Sequence, residues 1–165
     1  MELIKTNKEL KEVCKILTKA KFITIDTEFI REKTYWSQLC LIQVCSGNIE
    51  VIIDPLEEEI DLTPFIKILN KKSVLKVLHS GRQDIEIFYK ISGKIPSPIF
   101  DTQVAAMVCG FGDSVGYEKL VDKILKKKID KSSRFSNWAK RPLTKQQLQY
   151  AIGDVTHLYE IYPIL

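Results

Sequence analysis

Along residues 7 to 20, Leu10, Val13, Cys14 and Leu17 recur at intervals of three and four, which predicts an amphipathic helix with Asn7 as its N-cap. The period then changes. "KFITIDTEF" alternates every second residue, "QLCLIQVC" is a continuous apolar run, and "IEVIIDP" is a third extended segment that Pro55 stops, with "SGN" turning the chain between the last two. Three successive strands on short connections predict a meander. Beyond it, helix and strand alternate: a short helix opening near Thr63 and Pro64, a strand "VLKVLH", and a helix beginning after Ser80 that carries Ile85, Ile87 and Phe88. "FDTQVAAMVCG" reads as a helix ended by Gly110, and "GYEKLVDKILKK" as another. The last helix follows Pro142. Thr144 and Gln147 form a capping-box pair at its start, and Leu148, Ala151, Ile152, Val155 and Tyr159 form its apolar stripe. Tyr150 and Asp154, four residues apart, share one of its faces.

Elements in this order predict an α/β fold: a mixed sheet of about five strands with helices packed on it. The chain of 165 residues has the size of one domain with one core, and no repeat, low-complexity tract or linker divides it. With 45% hydrophobic and 28% charged residues, close to globular averages, the composition favours neither disorder nor a membrane class. No run approaches the ~18 apolar residues of a membrane span. The charges scattered through "MELIKTNKELKEVCK" leave no block for a signal peptide, so a cytoplasmic address is expected by default. Cys14, Cys40, Cys45 and Cys109 form no CxxC pair and lie among apolar neighbours; reduced core thiols are expected rather than zinc ligands or bridges. The net charge is +4, and lysines gather in "KILKKKIDKSSR", residues 123 to 134. That segment is either a phosphate-attracting patch or a solvated face.

Four acidic residues stand out against this pattern. Asp26 and Glu28 interrupt the strand that Ile23 and Ile25 begin, Asp84 lies in the first turn of a helix, and Asp154 lies within the last helix. A desolvated carboxylate costs several kcal/mol unless something positive meets it, so a cation is expected nearby. Residues two apart on a strand share a face, so Asp26 and Glu28 project together. Carboxylate oxygens are hard ligands suited to Mg²⁺ or Mn²⁺, and a pair of such ions about 4 Å apart can serve both sides of a phosphodiester displacement. Singly, each acid has a plainer reading: Asp84 as a helix-dipole residue, Glu28 as an exposed strand end, Asp154 as a lysine partner.

The order and spacing of the set carry more. DxE on a first strand, an Asp after a later strand and YxxxD on a terminal helix resemble the three motifs of the DEDD superfamily of 3′-5′ exonucleases. "DTEFIREKTYWSQLCLIQV", "HSGRQDIEIF", "FDTQVAA", "DKSSRFSNWAKRPLT" and "QYAIGDV" are similar, in the same order, to segments of the exonuclease domain of the ribonuclease D family, over roughly residues 20 to 162. Tyr150, four before Asp154, indicates the tyrosine subclass; the position five before is Gln149, not histidine. The resemblance implies a ribonuclease-H-like exonuclease fold and a two-metal-ion mechanism using Mg²⁺ or Mn²⁺. It implies that Asp26 bridges the two ions, that Glu28 and Asp154 complete the one on the nucleophile side, and that Asp84 supports the other, partly through water. Tyr150 would orient the attacking water; a tyrosine pKa near 10 makes it a poor base. The backbone at Thr27 and the side chain of Glu28 would hold the terminal nucleotide. His79 either lies near the same pocket or is a hydrogen-bonded structural residue, and His157 is expected to be structural.

Arg31, Lys33, Tyr35 and Trp36 follow the DxE strand, and Arg134, Trp138, Lys140 and Arg141 precede the terminal helix. Both segments are placed to flank the metals and offer phosphate contacts and stacking, with Arg141 assigned to substrate and Trp138 to packing. The resemblance thus implies an exoribonuclease that trims single-stranded RNA 3′ ends, tRNA precursors among them, and releases nucleoside 5′-monophosphates. A DNA exonuclease of proofreading or Werner type and a non-catalytic nucleic-acid-binding module are the rival readings. Ribonuclease D proper continues into helical HRDC modules, whereas this sequence stops at "EIYPIL"; shallow, distributive trimming is the expectation for a single exonuclease domain over residues 1 to 165.

Overall fold

A computed structural model describes residues 1–31, 35–130 and 132–165. Six strands, β1 (Glu2–Ile4), β2 (Phe22–Ile30), β3 (Gln38–Cys45), β4 (Glu50–Ile53), β5 (Leu75–Leu78) and β6 (Ile99–Asp101), form one sheet in the order β1-β4-β3-β2-β5-β6. The predicted meander is present: β2 pairs antiparallel with β3, and β3 with β4. The outer pairs β1–β4, β2–β5 and β5–β6 are parallel, so the sheet is mixed. Among the described residues it holds six strands rather than about five. The edge strands β1 and β6 have three residues each, too short to show a period. Phe100 and Asp101 therefore end a strand instead of opening a helix.

Among the described residues, six α-helices cover the sheet: α1 (Asn7–Leu17), α2 (Thr63–Leu69), α3 (Arg82–Ser92), α4 (Thr102–Val108), α5 (Tyr117–Leu125) and α6 (Lys145–Ile161). The N-cap of α1 is Thr6 rather than Asn7: its hydroxyl takes the Glu9 amide while Glu9 reaches back to the Thr6 amide, a complete capping box. Asn7 instead ties the loop ahead of α2, giving its amide to the Glu59 carbonyl and accepting the Asp61 amide. Residues from α1, α2 and α3 pack with Ile23, Ile25, Ile42, Val44 and Ile53 of one sheet face. Leu41, Ile52, Trp138 and Ala151 form the core of the other face, under α6, and α4 and α5 close a third cluster against the end of α6. Buried aliphatic area at ~25 cal/mol per Å² drives this assembly. All four cysteines are free; Cys14, Cys40 and Cys45 are buried as expected, whereas Cys109 is exposed. No helix among the described residues is long and apolar enough to cross a membrane.

Candidate active site

The alternation of β2 sends its two kinds of side chain to opposite layers. Ile23 and Ile25 enter the core beneath α1 to α3, while Asp26 and Glu28 sit across from Gln43 and Leu41 of β3 on the side that α6 covers. The register shifts immediately after Glu28, so the alternation ends there. Helix α6 is anchored to the same strand by a buried hydrogen bond: the Thr24 hydroxyl donates to the Val155 carbonyl at 2.8 Å. That bond sets Asp154, the preceding residue, above Asp26. Carboxylate oxygens of Asp26, Glu28 and Asp154 consequently lie within 4.8 Å of one another.

Asp84 reaches the site from the opposite layer. It lies buried in the first turn of α3 and accepts the hydroxyl of Thr27, the one β2 residue between Asp26 and Glu28. The turn that delivers α3 is built for it. Ser80 takes a left-handed backbone at φ 54°, and a Cβ on Gly81 would stand 2.7 Å from that of Leu78, so only glycine fits. Asp101 then accepts the amides of Ser80 and Gly81, both at 3.0 Å, besides capping α4 through Gln103. Asp101 is a positioning residue that the sequence pattern did not reveal, because its partners lie twenty residues away. Asp84 stays outside the 4.8 Å group, joined to it through Thr27.

Crowding and enclosure dominate the electrostatics. Burial, followed by the charges of Asp84, Asp154 and Glu28, pushes Asp26 well above the ordinary carboxylate range. Glu28 is raised to about 9 by burial and by Asp154 and Asp84. Asp154 is raised to about 7 by burial, in spite of the Tyr150 hydroxyl and the Arg134 guanidinium, which favour its charged form. Asp84 is raised by burial against the opposing hydrogen bond from Thr27. All three side chains are half-buried, and those of Asp26 and Asp154 open on a cavity. Such a cluster holds protons or cations, and hard carboxylate oxygens at this spacing fit hard divalent ions.

A cavity of about 290 Å³ opens on the acids and is lined by Asp26, Asp154, Tyr150, Tyr117, His79 and Arg134, among others. Tyr150 stands a turn before Asp154 on α6, backed by the buried ring of Trp138 at 6.0 Å between centroids. Burial and the neighbouring carboxylates raise its pKa, so it is a hydrogen-bond donor at neutral pH rather than a base. Trp138 is a packing residue, as expected. His79 also lines the cavity, but Thr102 engages its Nδ1 at 3.0 Å and the Val115 carbonyl its Nε2 at 3.1 Å. Both ring nitrogens face protein atoms, which favours the structural alternative. Tyr117 was not anticipated; its ring packs on His79 and its buried hydroxyl donates to the carbonyl of Asp154.

The assignment of Arg141 to substrate is corrected. Its guanidinium grips the fully buried Asp54 at 2.6 and 2.7 Å and donates to the carbonyls of Trp138, Lys140 and Cys40. Those bonds span its fork of donors, which locks the segment after Trp138 onto β3 and β4. Arg134 is the guanidinium at the cavity, partly answering the expectation of a nearby cation. Lys33 lies outside the described residues.

A family model described as 3′-5′ exonuclease matches residues 1–165. The chain belongs to the 3′-5′ exonuclease family. Within it, this exonuclease domain is 49% identical over 165 residues to ribonuclease D of Bartonella henselae, covering 100% of the chain and 41% of that relative. It superposes on Escherichia coli RNase D, an exoribonuclease involved in structured RNA processing, with a TM-score of 0.94 at 38% identity, over 98% of the chain and 43% of that structure. The exonuclease domain thus spans about two fifths of the length of these relatives. Brucella melitensis NrnC, solved with bound Mg²⁺, matches at 25% identity and a TM-score of 0.78, over 90% of the chain and 73% of that protein. The same protein bound to pGG gives 27% and 0.79, over 90% and 72%.

Proposed function

We propose that this chain is a metal-dependent 3′-5′ exoribonuclease that removes nucleotides from single-stranded RNA 3′ ends as nucleoside 5′-monophosphates. The observation that carries the reading is the convergence of Asp26, Glu28 and Asp154 within 4.8 Å, with Asp26 and Asp154 on one cavity with Tyr150. The relationship to ribonuclease D and the Mg²⁺ in NrnC support it. Two divalent ions, Mg²⁺ or Mn²⁺, held by the trio with Asp84 assisting, would acidify the attacking water and neutralise charge at the leaving oxygen. The protein's own groups supply the rest. The Tyr150 hydroxyl, kept protonated by its surroundings, would hydrogen-bond the attacking water and aim it at phosphorus. Arg134, on the cavity wall, meets the phosphate. Thr27 fixes Asp84 through its hydroxyl, and its backbone, with the side chain of Glu28, receives the terminal nucleotide. Helix α6 and the Tyr117 wall enclose the reaction on the side away from solvent.

Matched RNA and DNA oligonucleotides, each with a free or a blocked 3′ hydroxyl, test the reading in the presence and absence of Mn²⁺. Nucleoside 5′-monophosphates released from free RNA ends only, and only with metal, are expected. Equal digestion of DNA would remove the restriction to RNA, faster digestion of DNA would move the substrate class to DNA, and binding without any metal-dependent product would leave a nucleic-acid-binding module.

A further inference from the structure

A second groove, of about 320 Å³, lies beyond the end of β2 and includes Arg31, Tyr35, Trp36, Tyr89, Lys90 and Ile95 in its walls. We propose that it is the stacking subsite for RNA bases upstream of the scissile bond, a reading that rests on the exonuclease function above. The first argument is where the aromatic rings are. Four aromatic side chains are exposed among the described residues: Tyr35, Trp36, Tyr89 and Phe135. Three of the four line this one groove, with Tyr35 79% exposed and Trp36 packed edge-on against it. Exposed rings gathered in a single groove mark a ligand surface, and every base offers a π-face to them.

Charge and continuity support the same occupant. The Arg31 guanidinium lies over the Tyr35 ring at 5.8 Å, a platform that presents a cation and a π-surface together. Lys90 adds a second cation, while the groove's own carboxylate, Glu86, is answered by Arg82 at 3.1 Å. Among the described residues, the groove's lining is therefore net basic, matched to phosphates. Its walls adjoin the catalytic acids from two elements. Arg31 stands three residues past Glu28, about 10 Å at the rise of a strand, and Ile85 directly follows Asp84 on α3. A strand whose 3′ end lies among the acids thus meets these rings with its next bases. Such contacts ignore base identity, so the subsite confers length dependence without sequence preference.

The test compares a heptanucleotide RNA with a dinucleotide, using the full chain and the double substitution Tyr35→Ala with Tyr89→Ala. The ratio of kcat/KM for the heptanucleotide to that for the dinucleotide should fall roughly tenfold, through KM, as lost base stacking requires. Tyr35→Phe with Tyr89→Phe keeps both rings and should restore the parental ratio. An unchanged ratio in the alanine variant overturns the proposal. Should that variant also sediment as a smaller species than the parent, the groove is a protein interface instead. Anisotropy of labelled heptanucleotide, measured in an Asp26→Asn background, separates the two readings. If the parent cleaves nothing while the alanine pair still weakens heptanucleotide binding about tenfold, the groove stands and the exonuclease reading falls; if the parent cleaves and binding is unaffected, the groove reading falls.

Discussion

Asp26 and Tyr150 share a cavity but have separable tasks, and substitution should part them. Asp26→Asn removes charge from the centre of the ligand trio, so turnover should fall at least about a hundredfold and the thermal stabilisation by Mn²⁺ should shrink with it. Tyr150→Phe should retain the Mn²⁺-induced thermal shift and lose roughly 10²-fold in kcat, because only the hydroxyl that orients the water is gone. Two arginines of one segment divide in a similar way. Arg141→Ala strands the buried carboxylate of Asp54 and should destabilise the fold by roughly 3–5 kcal/mol. Arg134→Ala should instead leave the melting temperature near the parent's and lower kcat/KM on RNA. The acids were legible in the sequence because each breaks its local pattern. The arginines were not: which of them turns inward is decided by Asp54, 87 residues from Arg141 in the chain.

Elements rather than loops hold the site, and α6 contributes most. Its capping box was readable from Thr144 and Gln147, and the structure contains both halves of it. Thr144→Ala should cost about 1 kcal/mol, seen as a drop of about 2–4 °C in melting temperature. Its packed face is wider than the predicted stripe: Leu148, Ile152 and Tyr159 pack half-buried, and Gln147, Leu158 and Ile161 join Ala151 and Val155 as buried residues, because the helix packs on the sheet and on α5 at once. The starts of α1 and α3 show where local signals fail. Asn7 was the expected cap of α1, but the loop before α2 engages its side chain and Thr6 caps the helix instead. Helix α3 has no side-chain cap of its own; its entry is set by Asp101 from β6, a strand too short to predict. Asp101→Ala should therefore loosen the turn that places Asp84, and hydrogen exchange at the Ser80 and Gly81 amides should accelerate.

For the whole molecule, the acid cluster makes stability depend on pH and metal together. Glu28 and Asp154 rise from ordinary values of 4.5 and 3.8 to about 9 and about 7, so the metal-free folded protein holds protons that the unfolded chain has released. Its stability is therefore full below the unfolded values and declines as pH climbs through about 7 and then about 9. Melting in chelator across that window should show the decline, and saturating Mn²⁺ should reverse it most at the alkaline end. Asp84→Asn, which removes one of the crowded charges, should raise the melting temperature in chelator at pH values near 8. The sheet order that produces this crowding was legible only in its meander. The parallel additions of β5 and β6 depend on how α3 and α4 pack, which no single segment encodes.

The claim beneath all of this is that the acids are a cation site, and anomalous scattering from crystals of the full chain grown in Mn²⁺ tests it most directly. Manganese peaks bounded by oxygens of Asp26, Glu28 and Asp154 are predicted. Crystals saturated with Mn²⁺ that show no peak among those three carboxylates would contradict it.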